Sequence, residues 1–406
     1  MRTLFRDVRI FDGIQLIAQH GAVLVDGNRI ARVADSADAL DGEQADTVIE
    51  GAGRTLMPGM VESHAHLTWA SSVEKIYHQF ILPPEELKVA AWRNARVLLD
   101  HGFTSAYSAG ALGDHIEPEL AAAIDAGETP GPRLIPSTLE RSPEGAEGVE
   151  TGDVFNGRGP DAIRQFVSYC KDSGVRSLKL VISGEDALKP GSAKDVLYTD
   201  EEMEAAGAAA REAGLWIATH AYYPKAIELA LKAGARIIYH ASYADQAAMD
   251  QMVAARDSTF YAPSPGVSVA TLEATPPPHI DMSHMKASAT ERMALESKVV
   301  PALKARGVKI LIGGDYGFPF NPNGRNARDL QIFVEHFGYA PAEALSAATK
   351  LGGELMGLDV GQVKEGFLAD LLLVDGDPTA DVAILQDKDK LAAIMKDGAL
   401  YKAPVA

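Results

Sequence analysis

Between residues 57 and 313 the chain repeats one grammar, an amphipathic stretch of helical period followed by a short apolar run, and this repetition restricts the possible folds severely. Residues 84–101, 117–126, 160–173, 199–213, 223–233 and 244–255 carry the helical pattern. The runs 103–108, 133–137, 176–182, 215–219, 235–239 and 259–262 follow them as expected strands. Gly102, Gly174, Gly214, Gly234 and Gly307 stand where these helices should end, as C-terminal caps do. Counting 57–62 as the first strand and 309–313 as the last gives eight, the number that closes a parallel barrel. An α/β fold of the (β/α)8 TIM type is therefore expected.

Both ends of the chain use a different grammar. Short strands and tight turns such as Asp12-Gly13 and Asp26-Gly27-Asn28 fill the first part, and Asp375-Gly376 and Asp397-Gly398 punctuate the last. The two ends are expected to meet in one small β-sandwich domain, residues 1–57 with 359–406, leaving 58–358 as the catalytic barrel. Residues 265–287 contain Pro276-Pro277-Pro278 and few periodic apolar positions, so a long loop acting as a lid or binding segment is expected there.

Composition narrows the function. A formal charge of -18 opposes a polyanionic partner, so nucleic acid is not expected. No window approaches membrane-spanning length and no signal-like segment opens the chain, which predicts a cytoplasmic protein that acts on a small molecule and has no membrane partner. The single cysteine, Cys170, rules out an internal disulfide and every Cys-rich zinc scheme. Any metal must then be held by His, Asp, Glu or a modified Lys.

His64-Ala65-His66 ends the first expected strand, and side chains at i and i+2 leave a strand on one face, so both imidazoles can converge on a metal. Lys179, His220, His240 and Asp315 each end or adjoin a later apolar run. In a parallel barrel the C-terminal strand ends share one face, which gathers all six residues into one pocket. A free lysine suits such a pocket poorly, because an ammonium repels metal cations. A neutral amine can instead add carbon dioxide and become a carbamate able to bridge two metals.

These residues resemble the amidohydrolase superfamily, in the branch of imidazolonepropionase-like enzymes and metal-dependent Xaa-Pro and Xaa-Arg dipeptidases. The resemblance rests on Pro58-Gly59 before His64-Ala65-His66, Ser177-Leu178-Lys179-Leu180 with Ser183-Gly184, His220-Ala221-Tyr222, His240, Gly313-Gly314-Asp315 and Gly366-Phe367-Leu368-Ala369-Asp370-Leu371. Residues 344–358 resemble the last barrel helix. The resemblance implies that His64, His66 and Asp315 hold one divalent metal ion, His220 and His240 a second, with carboxylated Lys179 and a hydroxide between two zinc ions. It further implies that Asp315 moves a proton from the hydroxide to the leaving nitrogen, and that His240 or Tyr222 steadies the oxyanion. The implied activity is hydrolysis of an amide bond in a dipeptide or N-acyl amino acid-like molecule by a homo-oligomeric enzyme. A cyclic amide such as an imidazolone or lactam, or an aryl amide or carbamate, would use the same chemistry. The chain departs from many relatives after strand three, at residues 142–148, and after strand two, at Tyr107-Ser108.

Tyr222 and Tyr223 follow a candidate ligand and are candidates for substrate binding. Arg325 lies after Asp315, where a guanidinium could grip a carboxylate or simply be solvated. Asn326 and Asp329 precede an amphipathic run, which favours helix capping over substrate contact. Two remote rivals remain: a serine hydrolase built on Ala106-Tyr107-Ser108-Ala109-Gly110, and a non-catalytic barrel scaffold.

Overall fold

A computed structural model describes residues 1–71, 82–143, 156–186 and 189–404. Most of the strand-three loop, from residue 144, lies outside the described residues.

The chain starts as an antiparallel meander, β1 (Arg2–Phe11), β2 (Leu16–Asp26) and β3 (Arg29–Ala34), with β4 (Thr47–Glu50) and β5 (Thr55–Pro58) both parallel to β1. Phe5, Val8, Ile10, Val23, Val25 and Ile30 are buried in one cluster. On the opposite face Leu4, Ala22 and Leu24 are buried with Leu40, so the meander is covered on both sides there, each large apolar side chain stabilising it by about 1.5–3 kcal/mol.

Gly59 separates this sheet from the parallel strands after it. A Cβ placed there would collide with the side chain of Thr104, so only glycine lets the chain pass this close to it. The single strand expected over 57–62 is thereby replaced by two: β5 stays with the N-terminal sheet, and β6 (Met60–Ala65) begins a parallel one.

From β6 onward every strand pairing is parallel until the chain turns back. β6 pairs with β7 (Phe103–Ser108) and β7 with β8 (Arg133–Ile135). A second parallel sheet runs from β9 (Ser177–Val181) through β10 (Trp216–Ala221), β11 (Ile237–His240) and β12 (Phe260–Ala262) to β13 (Lys309–Ile310). Isolated parallel bridges, Arg141 to Leu180 and Ala65 to Tyr316, join the borders of the two sheets. Helices Pro84–Asp100, Ile116–Asp125, Pro160–Asp172, Asp200–Ala213, Pro224–Ala233 and Gln246–Ala254 lie within two residues of the stretches expected from periodicity. Gly214 and Gly234 end two of them with φ of 73° and 76°, the left-handed conformation a C-terminal cap requires.

The last strands, β14 (Leu371–Val374), β15 (Leu391–Lys396) and β16 (Ala399–Lys402), return to the first sheet, where β14 pairs antiparallel with β5. Its order is β16-β15-β14-β5-β1-β2-β3, with β4 beside β1.

Two expectations are corrected. Residues 265–287 are not a long loop: helix Pro265–Glu273 fills the first part, and Ser283 opens the long helix Ser283–Ala305. Pro265 stands in the first helical turn, where its missing N–H is harmless, and the buried face uses the small residues Gly266, Ser268 and Ala270, which leave no apolar period to read. Residues 344–358 form two helices, Pro341–Ala348 and Lys350–Met356, because the chain breaks at Thr349, whose hydroxyl bonds back to Leu345 O at 2.7 Å.

Candidate active site

The metal-type side chains collect at the C-terminal ends of the parallel strands. His64 comes from β6, and His66 follows one residue beyond it on the same face. Each ring is fixed through Nδ1, by Ser264 Oγ at 2.8 Å for His64 and by the Gly110 carbonyl at 3.0 Å for His66. Facing a carbonyl, His66 Nδ1 carries the hydrogen, which leaves Nε2 available as a ligand. Both Nε2 atoms approach Asp315 Oδ1, at 3.5 Å from His64 and 3.1 Å from His66. The ligand atoms of His64, His66 and Asp315 all lie within 4.8 Å of one another.

His220 sits near the end of β10 and His240 ends β11. Their ring centroids are 4.4 Å apart, and His240 lies 5.4 Å from His64. His240 and Asp315 adopt φ of 74° and 61°, unusual for side chains of this type and held by the surrounding packing. Lys179, in the middle of β9, is 1% exposed; its Nζ donates to Ala109 O at 2.7 Å and lies 4.7 Å above the Tyr239 ring. Glu140 stands between Lys179 Nζ, at 3.9 Å, and His66 Nδ1, at 3.6 Å.

Electrostatics keep most of these imidazoles neutral. Burial, reinforced by the charge on His66 and Lys179, holds His64 well below the usual imidazole range. Burial and then Lys179 bring His220 to about 3, and burial with His220 depresses His240. For His66 burial acts downward, but the hydrogen bond and charge of Asp315 outweigh it and raise the ring. Neutral imidazole is the form that ligates metal. Among the described residues His220 Nε2 is buried without a hydrogen-bond partner, and Asp315 Oδ1 is faced by the Nε2 atoms of His64 and His66, an arrangement suited to atoms that share a metal. The donor set therefore fits a divalent cation.

Behind the candidate ligands lies a layer that the sequence pattern assigns differently. Glu62, two residues before His64, accepts the His64 amide at 2.9 Å and Asn326 Nδ2 at 2.7 Å. Asp329 accepts the Gly313 amide at 2.9 Å and the Tyr316 hydroxyl at 2.8 Å. Burial lifts the carboxyls of Glu62 and Asp329 to about 7. Asn326 and Asp329 do not cap helix Arg328–Phe337, whose preceding residue is Ala327 with no side-chain cap; they brace the turn that carries Asp315. Strand alternation from His64 could have revealed Glu62. Nothing in the spacing of Asn326 or Asp329 points to this role.

The structure separates the candidate substrate residues. Tyr222 is buried, stacks on His240 at 4.6 Å and meets His220 edge-on at 4.9 Å. Tyr223 instead stacks on Tyr243 at 4.2 Å. Arg325 does not join the histidines: its side chain is 45% exposed, donates to Phe320 O at 3.2 Å and lies 4.0 Å from Glu273. Solvation of the long side chain outweighs any pull toward the pocket. Glu185 and Arg292, neither singled out in the sequence, stand beside Tyr222 instead.

Strand-end imidazoles around a carboxylate, with a buried lysine beside them, define a hydrolase of the metal-dependent class acting on carbon–nitrogen bonds. The chain belongs to the amidohydrolase family, whose pattern matches residues 55–400. It is similar to ochratoxinase of Aspergillus niger, 24% identical over 413 residues that cover 95% of this chain and 84% of that one. It is also similar to imidazolonepropionase of Ectopseudomonas mendocina, 24% identical over 423 residues covering 94% and 93%. A Xaa-Pro dipeptidase solved with methionine in its active site superposes with a TM-score of 0.88 at 23% identity, over 99% of this chain and 100% of that one. The likeness implies a TIM-type barrel plus a small domain, and members of the family usually bind divalent metals. No helix among the described residues is long and apolar enough to cross a membrane.

Proposed function

We propose that this chain hydrolyses the amide bond of a dipeptide or N-acyl amino acid-like small molecule at a binuclear metal centre. The observation that carries the reading is the convergence of four buried imidazoles on Asp315, with His220 Nε2 buried and without a hydrogen-bond partner among the described residues. His64, His66 and Asp315 would hold one ion and His220 and His240 the other, with Lys179, carboxylated, between them. Zinc suits two imidazole nitrogens completed by carboxylate oxygens. Bound there, the metals would polarise a carbonyl and make water acidic enough to attack it near neutral pH.

The chain's own residues then direct the reaction. The carboxylate of Asp315 takes a proton from the attacking water and delivers it to the leaving nitrogen as the C–N bond breaks. His240, held by the Tyr222 ring stacked on it, flanks the carbonyl oxygen and steadies its developing charge. Tyr222 and Tyr223 would contact the substrate. The bridges Arg141 to Leu180 and Ala65 to Tyr316 support closure of the eight parallel strands into a (β/α)8 barrel over 58–358, with 1–57 and 359–406 as the small β-sandwich domain. A homo-oligomer in the cytoplasm completes the reading; the free, buried Cys170 accords with a reducing compartment.

The imidazolonepropionase likeness favours one second reading, opening of a cyclic amide. Elemental analysis of the purified protein, followed by a screen of dipeptides, N-acyl amino acids, lactams, aryl amides and carbamates, separates the two. Metal-free protein that takes up no zinc or manganese would remove both.

A further inference from the structure

We propose that Arg292 is the seat for a carboxylate on the substrate, and that Glu185 occupies this seat in the free enzyme. The inference rests on the amide-hydrolase reading and names the group by which that site would select its substrate.

Helix Ser283–Ala305 carries Arg292 inward until only 6% of it is exposed. An arginine that deep is always charged and needs an anionic partner. Its contacts are loose ones: Nε to Ser268 Oγ at 3.3 Å, and Nη1 to Ser288 Oγ at 3.4 Å and to Glu185 Oε1 at 3.5 Å. Among the described residues Nη2 makes no hydrogen bond, so the fork that could grip a carboxylate with two parallel bonds is not used that way.

Glu185 shows what fits between the donors. One of its oxygens faces Arg292, and the other accepts the Tyr222 hydroxyl at 2.8 Å and stands 4.0 Å from His220 Nε2. Two donors from different parts of the fold thus converge on one carboxylate beside a candidate metal ligand. Glu185 follows β9 by four residues, on the connection that leaves the strand carrying Lys179. A buried pair of ideal geometry would resist exchange, but the Arg292–Glu185 contact is long, at 3.5 Å, so a ligand of the same charge that grips Arg292 with two bonds and takes over the Tyr222 hydroxyl can displace Glu185. The free carboxylate of an amino acid on one side of the scissile amide meets that description, and a neutral amide at the same position does not.

Binding of free ligands to the metal-loaded full chain tests this without turnover. The twenty free L-amino acids are titrated calorimetrically, and the best binder is compared with its carboxamide. The acid is expected to bind at least about 10-fold tighter than the carboxamide. Arg292→Gln should weaken the acid by about 10- to 100-fold and erase that preference, with Arg292→Lys intermediate because it keeps the charge but loses the fork. Glu185→Gln should tighten the acid several-fold. The proposal is overturned if no amino acid binds, if acid and carboxamide bind wild type alike, or if Glu185→Gln weakens the acid. The wild-type comparison needs no variant to fold. A protein that prefers the acid yet hydrolyses no amide fails the hydrolase reading alone, whereas amide hydrolysis with no acid preference fails this proposal alone.

Discussion

The Nζ of Lys179 donates to the carbonyl oxygen of Ala109 at 2.7 Å, tying the centre of β9 to the residue after β7. The same nitrogen sits over the Tyr239 ring and within 3.9 Å of Glu140, so protein contacts hold the lysine beside the histidine cluster.

Replacing Lys179 by Ala should therefore lower bound metal and activity together, activity by about 10- to 100-fold or more. Propionate should restore part of both by supplying the missing carboxylate. Metal content by elemental analysis, read alongside turnover, checks this. Full activity with no response to propionate would remove carboxylation from the account.

Asp315→Asn leaves the shape of the side chain but removes its basicity. A loss of about 10²- to 10⁴-fold in kcat is expected, with circular dichroism unchanged. A variant within a few-fold of wild type would mean that another group moves the proton.

Chelation should abolish activity and lower the melting temperature, because a ligand that binds only the folded state adds about 2.7 kcal/mol when present at about 100 times its Kd. Zinc or manganese should restore both. Activity that survives exhaustive chelation argues for one of the rival readings, such as a serine nucleophile at Ser108.

Glu296 predicts a pH dependence of stability. Burial raises its carboxyl to about 8 from 4.5, against the lowering influence of the Ser242 hydroxyl and Arg292. Between 4.5 and about 8 the folded chain holds a proton that the unfolded chain has released, so this group's contribution to stability is present below 4.5 and is lost as pH rises through that interval. Glu296→Gln, which imitates the protonated acid, should flatten the fall in melting temperature from pH 5 to pH 8. Matching curves for the two proteins would show that Glu296 is ionised in the fold.

Gly59→Ala should destabilise the chain by about 1–3 kcal/mol, since the added methyl meets Thr104 at a distance no rotamer relieves. Denaturant unfolding measures the loss, and a neutral result would mean that β5 and β7 can part without cost.

Much of the fold is legible in the sequence because its signals are local. Helical period, terminal glycines and the alternation through His64 and His66 place most helices, the parallel strands and the ligand types. The features that escape depend on contacts distant in sequence. The break at Gly59 is set by Thr104, helix Pro265–Glu273 hides its buried face in small residues, and Asn326 and Asp329 find Glu62 and Gly313 rather than a helix end. From its place after Asp315, Arg325 is the natural candidate for a carboxylate grip. The deeper arginine lies on a helix whose first turn falls in a stretch the sequence presents as a loop.

The pairing of β14 with β5 has a consequence for how the chain matures. Gly59, five residues before His64, donates its amide to Asp370 O at 2.9 Å, and the register continues from Leu371 against Pro58 to Val374 against Thr55. The segment that aims the first two histidines is thus clamped by a strand from far downstream in the sequence. A nascent chain can assemble its helices as they emerge, but the strand leading to His64 gains its neighbour only once residues 370–374 have followed the whole intervening stretch, so competence for metal should not arise before β14 has been made.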